Sequence, residues 1–132
     1  MASVRVVVVT PEKAVLDEAA ASVTLPLYDG ELGVLPGHAA FVGQLGPGEL
    51  RLTDAGGTSR RFFIDGGFAQ VRADVVNVLT AKAVPAADVT AAKATEARAA
   101  AEALPSGDPV QRATREKALN RARGLERVAA KG

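Results

Sequence analysis

The sequence predicts a chain in two parts. Residues 1–85 form a β-sandwich, or flattened antiparallel barrel, and residues 86–132 a C-terminal antiparallel helical hairpin. Three observations lead there. Short β-branched and alternating segments separated by glycine-rich turns fill the first part. The hydrophobic period changes at Pro85. Beyond it, two helix-forming stretches are joined by the turn Pro105-Ser106-Gly107-Asp108.

The elements follow in order. "VRVVVVT" is a β-branched run ended by Pro11. "ASVTLPLY", "AAFVGQL", "GELRLTD", "SRRFFID", "FAQVRA" and "VVNVLTAKAV" come next at short intervals. "DAGGT" and "DGG" read as the strongest turns, because glycine takes positive φ without a Cβ clash. Many short strands at regular spacing suit a sandwich. Its core is expected to hold Leu25, Leu27, Phe41, Leu50, Leu52, Phe63, Phe68, Val71, Val76 and Val78.

"DVTAAKATEARAAAEAL" is a strong helix former, with Asp88 as its expected cap and Pro105 as its stop. Asp108 then reads as an N-cap with Pro109 at the first helical position. "VQRATREKALNRARGLERVAAK" continues as the second helix, in which Gly124 costs roughly 1 kcal/mol relative to alanine. Val89, Ala92, Ala99 and Ala103 are expected to face Val110, Ala118 and Leu125. These are mostly small side chains, worth little at roughly 25 cal/mol per Å² buried. The hairpin is therefore expected to be helical by propensity but weakly anchored.

The 132 residues contain no cysteine, which excludes a disulfide framework and thiolate metal sites. The opening valine run is too short for a signal segment or a membrane span, so the chain is expected to be soluble and at most peripheral to a membrane. Charge is uneven along it. Residues 1–87 carry seven Lys/Arg against nine Asp/Glu, and residues 88–132 carry nine against six. The last 23 residues hold seven basic side chains and two acidic ones, a composition suited to an anionic partner.

"DGELGVLPGHAAF", Asp29 to Phe41, contains the single histidine of the chain, two carboxylates and three glycines. Asp29, Glu31 and His38 are the only acid/base set on offer, with no thiol, no nucleophile-elbow serine and no multi-histidine spacing beside them. The glycines match neither a P-loop nor a dinucleotide fingerprint. No catalytic residue and no metal ligand is assigned. Pro36-Gly37 suits the centre of a type II turn, and Gly30 and Gly33 are expected to relieve crowding beside Glu31 and Leu32. A rigid recognition loop is the resulting expectation. The basic second helix has no aromatic residue for base stacking, and its charges lie all round it. The residues alone leave open a β-sandwich adaptor whose basic hairpin binds nucleic acid or an acidic protein.

Three segments carry a family resemblance: "VTLPLYDGELGVLPGHAAFVGQLGPGELRL", "FFIDGGFAQVRADVVNVLTAKAV" and the alanine-rich helix pair after Pro85. In order and spacing they resemble the epsilon subunit of the bacterial rotary F-type ATP synthase. The resemblance implies a non-catalytic part of the central rotor, peripheral at the cytoplasmic face of the bacterial inner membrane. Its sandwich would pack beside the gamma subunit and stand on the polar loops of the c-ring. Gly30, Glu31, Leu32, Gly33, Pro36, Gly37 and His38 would make those contacts. The hairpin would either fold on the sandwich or extend along gamma and restrain ATP hydrolysis. Arg112, Arg115, Arg121, Arg123 and Arg127 would then meet acidic segments of the catalytic alpha and beta subunits. Nucleic acid is not an implied partner.

Some members of the family bind ATP through [Ile/Leu]-Asp-x-x-Arg-Ala on the first helix. The matching stretch here is Ala87-Asp88-Val89-Thr90-Ala91-Ala92, which keeps Asp88 and Ala92 but lacks the aliphatic residue and the arginine. Arg98 and Arg121 are the remaining candidate ligands. Losing a guanidinium that pairs with phosphate argues against tight ATP binding, and no cofactor is expected.

Overall fold

The computed structural model describes residues 2–131. The strands are β1 (Val4–Val9), β2 (Ala14–Ala20), β3 (Ser22–Leu27), β4 (Gly30–Val34), β5 (Phe41–Thr53), β6 (Ser59–Arg72), β7 (Val75–Leu79) and β8 (Ala83–Pro85). A 3-10 turn at Ala86–Asp88 leads into α1 (Ala91–Glu102) and α2 (Pro109–Ala130). The strands pair in the order β2-β1-β7-β6-β5-β3-β4, with β8 on the first half of β6. All pairings are antiparallel except that of β1 with β7. The sheet closes over one aliphatic core to which Val4, Val6, Val8, Leu25, Leu50 and Val76 contribute.

Several sequence expectations change here. "AAFVGQL" and "GELRLTD" belong to one strand, β5, and "SRRFFID" and "FAQVRA" to another, β6. The two pair in one unbroken register from Phe41↔Val71 to Thr53↔Ser59. "DGG" is therefore no hairpin turn. Gly66 and Gly67 adopt φ of 72° and 110° inside β6, between its pairing with β8 and its pairing with β7. Glycine inside a strand marks a sharp bend rather than an end. Ala14–Ala20, overlooked in the periodicity, is the outer strand β2.

Phe68 is not core. It is 59% exposed, because inward Ala69 and Val71 fix the alternation and turn Phe68 outward. Phe63 is fully buried, but against the hairpin rather than in the sandwich interior.

The cap of α1 is Thr90, whose hydroxyl accepts from Lys93 N at 3.1 Å, while Asp88 lies in the preceding 3-10 turn. Asp108 caps α2 as predicted, accepting from Gln111 N at 2.8 Å with Pro109 behind it. The expected facing stripes shift. Val89 and Leu125 are buried as expected, but Ala92, Ala99, Ala103 and Val110 are exposed, and Ala94, Ala101, Leu119, Ala122 and Val128 are buried in their place.

Candidate functional site

The segment Asp29–Phe41 is built from a strand and a turn. β4 pairs with β3 from Leu27↔Gly30 to Val23↔Val34, leaving Tyr28 and Asp29 as a two-residue tip. β4 is the last strand of the sheet, so its outer edge is free of strand partners. The type II turn expected at Pro36-Gly37 is present: His38 N donates to Leu35 O at 3.1 Å, and Gly37 has φ of 86°. The Asp74 carboxylate accepts from Gly37 N at 2.7 Å and ties this turn to the β6–β7 turn. His38 Nδ1 lies 2.7 Å from Ala39 O, so that nitrogen carries the proton and donates.

The seven expected contact residues do not form one cluster. Gly30 and Glu31 begin β4, whereas Pro36, Gly37 and His38 follow its end, beside the β6–β7 turn. Leu32, Gly33, Val34 and Leu35 lie between Glu31 and Pro36, a span of roughly 15 Å in extended chain. Glu31 instead lines a groove of about 580 Å³ together with Arg127 and Lys131 at the end of α2. Leu32 is half-buried, packed on the core. The crowding expected at Gly30 and Gly33 is absent, since a Cβ at either position meets nothing within 4 Å.

A surface that sequence reasoning missed lies on the outward face of the sheet. Phe68 of β6 pairs directly with Leu79 of β7, each 59% exposed, and Gln44 of β5 stands opposite Phe68. Val42, 71% exposed, lies two residues from Gln44 on the same face. The alternation in "FVGQL" and "FAQVRA" held the signal, but the core was assigned by residue type rather than by parity.

The hairpin lies on the sandwich through α2. Phe63, Val89, Ala94, Leu125 and Val128 form a second buried cluster. Gly124 sits directly on β5, where a Cβ would stand 2.7 Å from Pro47 O and 3.2 Å from the Phe63 ring. Its absent side chain permits the close approach, so it is more than a propensity cost.

The basic residues of α2 are partly engaged. Arg121 Nε donates to Asp65 at 2.9 Å, and its guanidinium lies 5.8 Å from the Phe63 ring centroid. Arg123 pairs with Glu116 at 3.8 Å and Asn120 at 2.6 Å. Arg112 donates to Ser106 O at 3.4 Å. Arg127 is exposed and Arg115 half-buried.

Of the four residual nucleotide candidates, Asp88 and Arg121 line one depression of about 420 Å³ between sandwich and hairpin. Lys82 and Lys93 also line it, and Lys93 Nζ donates to Asp88 O at 3.0 Å. Ala92 and Arg98 do not line it, and Arg98 pairs with Glu126 at 2.9 Å. No helix among the described residues is long and apolar enough to cross a membrane.

Comparison with known proteins agrees with this architecture. Residues 3–86 match the family model for the β-sandwich domain of the ATP synthase delta/epsilon chain. The ATP synthase epsilon chain of Rhodopirellula baltica is 49% identical over 126 residues, covering 96% of this chain and 98% of that one. The epsilon chain of Bordetella petrii is 40% identical over 102 residues, covering 77% and 72%. A chain of the Euglena gracilis mitochondrial ATP synthase, in a structure of OSCP, F1 and c-ring, superposes with a TM-score of 0.85 at 34% identity, covering 96% of this chain and 81% of that one. A chain of the Tetrahymena thermophila central stalk and c-ring shares the fold, with a TM-score of 0.70 at 16% identity and 96% coverage of both. The chain belongs to the epsilon-chain family of the F-type ATP synthases.

Proposed function

We propose that this chain is a non-catalytic component of the central stalk of a proton-translocating ATP synthase, coupling rotation of the gamma subunit and c-ring to ATP synthesis. The observation that carries the reading is the outward face of Val42, Phe68 and Leu79, three large apolar side chains between 59% and 71% exposed. Such side chains on a stiff sheet suit a lasting protein contact rather than free solvent. We assign this face, with the adjoining His38 turn, to gamma. The β3–β4 tip with Tyr28 and Glu31 takes the polar loops of the c-ring. Gly33 supports that assignment: it is exposed on an edge strand with open space at its Cβ position. A glycine there weakens the strand without an internal reason, and close approach of a partner backbone supplies one.

In this reading the chain is peripheral to the cytoplasmic face of a bacterial membrane through its complex. The hairpin is folded down here. Once extended, Arg112, Arg115, Arg121, Arg123 and Arg127 would face acidic segments of the catalytic subunits and restrain hydrolysis. Arg121 must first leave Asp65. ATP is not held tightly by the hairpin, since Arg98 and Arg121 are already paired and Ala92 lies outside the depression.

The test is co-purification. Changing Phe68 and Leu79 together to Asp should abolish association with gamma while the circular dichroism of the isolated chain stays unchanged. Retained association would overturn the assignment. Deleting the residues after Ala87 should raise ATP hydrolysis by the complex; unchanged hydrolysis would remove the inhibitory role alone.

A further inference from the structure

The last turn of α2 ends against a buried carboxylate. Glu49 of β5 is 9% exposed, and its Oε2 accepts from Arg61 Nε at 3.0 Å and from a terminal nitrogen of Arg61 at 2.8 Å. That same terminal nitrogen donates to the main-chain carbonyl of Val128 at 3.1 Å. Arg51 reaches the other oxygen of Glu49 at 3.4 Å, and Lys131 Nζ lies 3.8 Å from Oε2. The last four carbonyls of a helix have no partner within it and carry its partial negative charge. Val128 supplies one of these, since α2 ends at Ala130.

We infer that Arg61, aimed by Glu49, is a C-terminal cap for α2 delivered from the sandwich, and that the last turn of α2 keeps its helical form only while the hairpin is docked. The arrangement is suited to repeated use. Glu49 and Arg61 both belong to the sandwich, so departure of α2 leaves them paired with each other. No buried charge is stranded, which is what makes breaking a buried pair costly elsewhere. The socket persists and recaps the helix on its return. Val128 and Leu125, packed with Phe63, fix the rotational setting that brings the carbonyl to the guanidinium.

The test uses the isolated full chain and residue-resolved amide hydrogen exchange. Arg61→Met removes the donor but keeps the bulk, and Arg51 and Lys131 remain beside Glu49. Exchange at the α2 amides from 128 to 131 should rise roughly tenfold, the size of one charge-assisted hydrogen bond. The amides of β5, β6 and the middle of α2 should change by a smaller factor, set by the loss of global stability. Glu49→Gln, which frees Arg61 without deleting it, should produce the same local pattern at smaller amplitude. Unchanged exchange in Arg61→Met would overturn the cap. So would a rise spread evenly along α2, which reports docking in general, or an equal rise in β5 and β6, which makes the pair a support of the sandwich alone. None of these outcomes touches the stalk assignment, because no other subunit is present.

Discussion

The two buried clusters differ in what fills them. The sandwich interior holds seventeen buried residues among those described, all apolar, drawn from seven of its eight strands and mostly Val and Leu. Beneath the hairpin the cluster has five, and the polar links Arg61–Val128, Arg121–Asp65 and Lys131–Glu49 lie around it. An all-apolar core has no alternative state that satisfies it outside the fold. An interface made of one aromatic, small aliphatics and exchangeable ion pairs has one, because water or another acidic surface can take over the polar half. The sandwich is built to stay assembled and the hairpin contact to come apart.

The change expected to separate the regions most is Phe63→Ala. Removing a fully buried aromatic should cost about 3–5 kcal/mol, and the loss should fall on the hairpin. Thermal denaturation with exchange readout should show α2 deprotected before β1 and β7. Simultaneous loss would merge the two clusters into one cooperative unit.

Gly124→Ala comes next. The added methyl would meet Pro47 O and the Phe63 ring, an overpacking cost of about 1–3 kcal/mol, against a helix-propensity gain of about 1 kcal/mol. The hairpin should become more helical and less docked, visible as equal or higher helical ellipticity with faster exchange at Leu125 and Val128.

Acid should act mainly on the sandwich. Burial alone would raise the pKa of Glu49, but the hydrogen bonds and charge of Arg61, aided by Lys131 and Arg51, hold it below the usual carboxylate range. A folded-state pKa below the unfolded one gives stability that is full above about pH 4.3 and is lost as pH falls through the folded value. Arg61 leads this lowering and stays with the sandwich, so the loss should belong to global unfolding. Glu49→Gln should flatten that acid limb of a denaturation series.

The smallest effect is expected for Arg98→Ala. Its bond to Glu126 joins α1 to α2 with both side chains about 40% exposed, 40% and 41%. Little stability should be lost, as for most solvent-exposed ion pairs, read as slightly earlier melting of α1 with the sandwich unmoved.

Sequence made the two-part plan visible because the change from strand pattern to helix pattern at Pro85 is a local property. The cap Asp108-Pro109 and the turn Pro36-Gly37 were legible for the same reason. The errors share one cause. Phe68, Gly124 and Gly66-Gly67 take their meaning from what lies across space from them. Hydrophobicity put Phe68 inside, propensity charged Gly124 only a helix cost, and turn chemistry read a bend within β6 as its end. The candidate contact residues were found as a contiguous motif whose resemblance already set Glu31 toward the ring and His38 toward gamma. The strand that holds the two apart, however, is a matter of its pairing with β3. The Glu49–Arg61 socket joins residues 12 apart to a helix 67 residues further on, and no local pattern announces it.

The Asp74 carboxylate on Gly37 N has a mechanical meaning. A single turn loaded sideways at His38 would fold about its own two ends. Here the load passes through one short hydrogen bond into the β6–β7 turn, whose Ala73 and Asp74 are themselves held at φ of 51° and 63°. Arg5 N on Asp74 O carries it on into β1. A push on the loop is thus borne by three strands in their stiff direction, and a subunit that must not slip under torsion would gain from that path.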